Sequence, residues 1–136
     1  MSDLDNANAR DALRELGRAH ERLQDALSRD VRVDAIFMDA TIQRFEFCVE
    51  LTWKTLKKLI EFEGEVAKTP KQALQKAYAM EWIDNERLWL DMLMDRNLTS
   101  HTYQEVLAQR VYGHIPDYFI AMRHLYRLLV AHYGEP

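Results

Sequence analysis

Between residues 5 and 28 the apolar positions Leu13, Leu16, Ala19, Leu23, Ala26 and Leu27 recur every three or four residues, with Arg, Glu and Asp between them. That period matches the turn of an α-helix and predicts a first amphipathic helix with one face toward a core. A second helix is predicted over residues 34–63, where Ile42, Phe45, Val49, Trp53, Leu56 and Ile60 keep to one face. Nearly opposite lie Phe37, Ala40, Phe47, Leu51 and Phe62, and between the two faces runs a polar strip of Gln43, Glu46, Glu50, Lys54 and Lys57. A helix apolar on two sides must bury two surfaces. Either it sits centrally in a bundle, or its second face forms the seam of a homodimer, two-fold dimers being the commonest oligomers.

Punctuation divides the rest. Gly64 suits the left-handed residue that ends a helix, and Thr69, Pro70 and Gln72 follow as a cap, a first-turn proline and a reciprocal amide. A short third helix should run to about Met80. Asn85 can cap a fourth through Leu88, Trp89, Met92 and Leu93, ending near Arg96 or Asn97. Thr102-Tyr103-Gln104-Glu105 reads as a capping box that opens the next helix, with Leu107 and Val111 following, a break or kink at Pro116, and a final stripe of Phe119, Met122, Tyr126, Leu129 and Tyr133. No segment alternates as a strand would. The reading is all-α: a bundle of four to six helices.

Composition sharpens this picture. The 136 residues suit one domain spanning 1–136, and 48% hydrophobic with 29% charged residues can build both a core and a wet surface. A net charge of −4 gives no overall basic footprint, so any contact with RNA must use a local patch. The single cysteine, Cys48, cannot form an internal disulfide, and the polar, acidic N-terminus does not read as a secretion signal, so the expected location is cytoplasmic. No run is long and apolar enough for a membrane span.

Chemistry concentrates at the junction of the fourth and last helices, in Arg96-Asn97-Leu98-Thr99-Ser100-His101-Thr102-Tyr103. Arg96 offers a planar fork of donors to phosphate, a helix N-terminus presents unpaired N–H groups, and His101 can exchange a proton near neutral pH. Ordinary capping accounts for the same residue types: Arg near a helix end, Asn as a stop, Thr and Ser as starts.

The spacing Arg96, His101, Tyr103 resembles the R-x4-H-x-Y signature of the HEPN family. Ile42-Gln43-Arg44-Phe45-Glu46-Phe47 and Glu50-Leu51-Thr52-Trp53-Lys54 are similar to its nucleotidyltransferase substrate-binding branch. The resemblance, which extends over most of the chain, implies an up-and-down, HEPN-like helical bundle, usually a homodimer, that works beside a minimal nucleotidyltransferase. It implies toxin-type RNA cleavage without metal or cofactor, with Arg96, Asn97 and His101 catalytic and Tyr103 the acceptor of silencing adenylyl groups. The alternative it leaves open is a non-catalytic subunit that binds a nucleotide or substrate. Glu46, Glu50 and Lys54 read first as a solvated strip with spacing-four ion pairs, and second as candidates to line the groove between protomers.

Other signals weigh less. His101, His114, His124 and His132 cluster in the last third, but His124 and His132 are eight apart and no cysteine joins them, so no metal site is expected. Of Trp53, Trp82 and Trp89, all of them core candidates, Trp82 beside a loop is the one best placed to stack on a base.

Overall fold

The computed structural model describes residues 3–101 and 104–134, without the side chains of 3–6, 100 and 101. Among the described residues five helices follow one another: α1 (Asp3–Leu27), α2 (Ile36–Phe62), α3 (Pro70–Ala79), α4 (Glu86–His101) and α5 (Glu105–Tyr133). Cross-contacts give their directions. Arg44 and Cys48 of α2 meet the carbonyls of Arg22 and Ala19, so α1 and α2 are antiparallel. Phe45 faces Tyr118 while Phe62 faces Tyr133, so α2 and α5 are parallel. With α4 returning between them, α1, α2, α4 and α5 form an up-and-down bundle, and α3 packs beside α2 and α4.

Local signals explain the ends. Gly64 is left-handed (φ 86°), Gly64 N–H donates to Glu61 and Glu65 N–H to Ile60, which closes α2 with a paired carbonyl lock. Thr69 accepts from Gln72 N–H at 3.1 Å, and the Gln72 amide reaches back to Lys68 N–H at 2.9 Å. Asn85 caps α4 by accepting from Leu88 N–H at 3.1 Å.

Three expectations need correction. α4 does not stop at Arg96 or Asn97 but continues to His101, so Arg96 belongs to the body of a helix and its end-cap explanation falls away. α5 opens at Glu105 with extended Gln104 at its N-cap and no side-chain cap, later than a Thr102 cap would place it; Thr102 and Tyr103 lie outside the described residues. Pro116 neither starts nor ends a helix. It is exposed within a continuous α5, where the missing N–H leaves only the Tyr112 carbonyl without its usual partner.

α2 touches all four other helices and is the centre of the bundle. Its predicted core residues Ile42, Phe45, Val49, Leu56 and Ile60 are buried and Trp53 is half-buried. The buried face is wider than the apolar pattern shows, because Thr41, Cys48, Thr52 and Thr55 also turn inward. Thr41 and Thr52 hydroxyls donate one turn back, to Phe37 and Cys48 carbonyls, and so enter the core with their polarity satisfied. Burial pushes the Cys48 thiol up to about 12 and leaves it unreactive. The second apolar face is split: Phe62 packs on Tyr133, whereas Phe47 is 64% exposed.

Between α1 and α5, His20 is buried against Phe119 and Tyr126, with Nδ1 3.5 Å from Arg123 and, among the described residues, no hydrogen-bond partner for Nε2. Burial, and then the Arg123 charge, lower its pKa to about 4. The unfolded chain therefore takes up this proton near pH 6.5 and the folded chain does not. Stability should be full above pH 6.5 and fall by about 2–3 kcal/mol toward pH 4. Urea denaturation at pH 7 and 4.5 checks this; a His20→Leu variant with an equally steep loss would overturn it.

Candidate functional site

Arg96 leaves the interior of α4 toward α2. Its Nη2 lies 3.3 Å from Glu50 Oε2, and Nη1 lies 3.4 Å from Asn97 Oδ1. Arg96 Nε is buried and has no hydrogen-bond partner among the described residues. Glu50 turns its other oxygen, Oε1, to Lys54 Nζ at 3.2 Å. Partial burial alone would raise the Glu50 pKa, but hydrogen bonds from Lys54 and Trp53 and the charges of Lys54 and Arg96 outweigh it and hold the carboxyl below its ordinary range. The spacing-four pair read from the polar strip is thus real, and the fold adds Arg96 to it.

One helical turn along this seam is a cleft of about 300 Å³. Ile42, Gln43 and Glu46 of α2, Thr99 of α4, and Leu107 and Ala108 of α5 line it. Glu46 therefore belongs to the same seam as Glu50, with the motif's Thr99 across from it.

Behind Arg96 stands its neighbour in the motif stretch, Asp95. Asp95 is buried, and its Oδ2 accepts the Tyr118 hydroxyl at 2.6 Å and pairs with His114 Nδ1 at 2.9 Å. Tyr118 stacks on Phe45 with ring centroids 5.6 Å apart, and burial followed by the Asp95 contact raises its pKa strongly. Asp95 therefore pins α4 to α5 and fixes the rotation that turns Arg96 toward α2. The i,i+4 spacing of His114 and Tyr118 was the available signal, though nothing in the chain names Asp95 as their partner.

The remaining candidates fall as follows. The His101 side chain and all of Tyr103 lie outside the described residues. Trp82 is buried, edge-on to Tyr133 at 6.1 Å, so its loop position does not leave it open for stacking on a base. Among the described residues no cluster of three or more His, Cys, Asp or Glu could hold a metal ion, and no helix is long and apolar enough to cross a membrane.

A profile of the family described as nucleotidyltransferase substrate binding protein like matches residues 6–131. The chain belongs to this family. Its resemblance in sequence to that branch and its helical fold are thereby borne out. A crystal structure from Thermus thermophilus superposes with a TM-score of 0.76 at 35% identity, covering 84% of this chain and 98% of the other. A second, from Haemophilus influenzae, also gives 0.76, at 26% identity over 86% and 98% of the two chains; it is described as revealing the fold of a substrate binding domain of a nucleotidyltransferase. A curated Haemophilus influenzae relative, "Probable ribonuclease HepT", is 33% identical over 86 residues. That match covers 58% of this chain and spans 58% of the relative's length.

Proposed function

We propose that this chain partners a minimal nucleotidyltransferase and, as a homodimer, cleaves RNA without a metal until adenylylation of Tyr103 silences it. The observation that carries the reading is Arg96, directed from α4 into a polar seam with one donor unused among the described residues. A phosphodiester placed there meets a fork suited to its oxygens. His101 takes the proton from a ribose 2′-hydroxyl as the 2′-oxygen bonds to phosphorus; the bond from phosphorus to the 5′-oxygen breaks and that oxygen takes a proton from water. The products are a 2′,3′-cyclic phosphate and a 5′-hydroxyl. Arg96 offsets the charge that builds on phosphorus, and Asn97 orients the phosphate.

Positions 96 and 101 are five apart on α4, about 140° around its axis. This favours a site completed by a second copy, Arg96 of one chain working with His101 of the other, and exposed Phe47, flanked by half-buried Ala40 and Leu51, gives a dimer surface to bury. Glu46, Glu50 and Lys54 then line the groove. Adenylylation of Tyr103 would add a phosphate close in sequence to Arg96 and fill the place of the substrate.

Co-expression with a minimal nucleotidyltransferase tests the reading. Intact mass should show an added adenylyl group that is lost in Tyr103→Phe, and the modified protein should no longer cleave RNA. A mass shift absent from wild type would overturn Tyr103 as acceptor. An unmodified chain that binds nucleotide but leaves RNA intact in chelator would replace the ribonuclease by a non-catalytic substrate-binding subunit.

A further inference from the structure

The Arg96 donor set is unsaturated in a specific way. A guanidinium carries five N–H donors; among the described residues its two contacts are 3.3 and 3.4 Å, longer than the roughly 2.7–2.9 Å of a strong charged bond, and the buried Nε has none. Its only carboxylate contact among the described residues, Glu50, is shared, with one oxygen toward Arg96 and the other toward Lys54. Two cations around one carboxylate leave an excess of one positive charge, the complement of one phosphodiester. All three side chains remain partly open, Arg96 at 30%, Glu50 at 36% and Lys54 at 56%, so an incoming anion can reach them.

We propose that Glu50 is a built-in counter-ion that organises Arg96 and Lys54 as a two-pronged cradle for a phosphoryl oxyanion, which binds by competing with Glu50 for both cations. Lys54 is thereby a second phosphate contact, one turn along α2 from the carboxylate. Glu50 sets the threshold: it keeps the cradle assembled but weakly held when empty, so that only an anion able to engage both cations displaces it. The inference rests on the phosphate-binding reading of Arg96 but not on cleavage.

Binding is measured by anisotropy with a fluorescein-labelled oligoribonucleotide bearing 2′-O-methyl groups, which cannot be cleaved through its 2′-oxygens, and by calorimetry with AMP, both in chelator. The two probes distinguish an RNA phosphodiester from a mononucleotide as the source of the phosphate. Glu50→Gln should bind the preferred probe about three- to tenfold more tightly, and Lys54→Met about three- to tenfold less tightly, the size of one partly screened charge contact. The Glu50→Gln gain should shrink in an Arg96→Ala background and vanish when Lys54→Met is added. Glu50→Ala gives a second uncharged variant, and thermal melting confirms that each is folded. Unchanged or weaker binding in both folded Glu50 variants, or a gain that persists without Arg96 and Lys54, overturns the inference alone. If Arg96→Ala leaves both probes unaffected, the phosphate-binding reading falls with it.

Discussion

Replacing His101 by alanine is expected to lower metal-independent RNA cleavage by about a hundred- to ten-thousandfold, the loss typical of one positioned general acid or base. Without a metal, the proton must leave the 2′-hydroxyl or reach the leaving oxygen through a side chain, and imidazole is the group in the motif that titrates in the working range. Arg96→Ala should cost about a hundred- to a thousandfold by removing donors that stabilise the charged phosphorus centre. Arg96→Lys should recover only part of this, since an ammonium cannot offer a two-oxygen fork. With both residues serving one transition state, as proposed, the double variant should lose far less than the product of the single losses. Initial rates on labelled RNA in chelator decide it. Identical rates for wild type and His101→Ala would sink the ribonuclease reading, while leaving the substrate-binding alternative standing.

Phe45→Ala is expected to destabilise the bundle by about 3–5 kcal/mol, against about 0.5 kcal/mol or less for Phe47→Ala in the isolated chain. The two rings are neighbours on α2, yet Phe45 is fully buried and Phe47 is 64% exposed. Removing the Phe45 ring opens a cavity beneath Tyr118, whose hydroxyl holds Asp95, so the loss should also loosen the α4–α5 contact that orients Arg96. Urea denaturation followed by circular dichroism reads both variants. Equal losses would contradict the faces assigned to α2. A Phe47 loss that grows with protein concentration would instead place that ring in a dimer seam.

The core was legible where burial coincides with hydrophobicity. The stripe of Ile42, Phe45, Val49, Leu56 and Ile60 repeats with the helical period, and all five are buried. Thr41, Cys48, Thr52 and Thr55 were not legible, because polarity hides their inward direction; back-bonding makes burial of Thr41 and Thr52 tolerable. Caps were readable at Gly64, Thr69 and Asn85, where a side chain or a left-handed backbone acts locally. The end of α4 was misplaced for the opposite reason: Arg96 and Asn97 look like a helix stop, but Arg96 is held from outside, by Glu50 across the seam.

The sequence by itself determined the class of fold, a long helix with two apolar faces, the strip of Glu46, Glu50 and Lys54, and the motif around Arg96. Each of these depends on spacing along one segment, which periodicity and local hydrogen bonding express directly. Only the tertiary structure decided that Arg96 belongs to that strip, that Asp95 is anchored by His114 and Tyr118, and that Trp82 is buried. These contacts join residues 46, 19, 23 and 51 positions apart, with Tyr133 as the partner of Trp82. No local pattern encodes such pairs, because which side chains meet depends on how packing rotates each helix in the bundle.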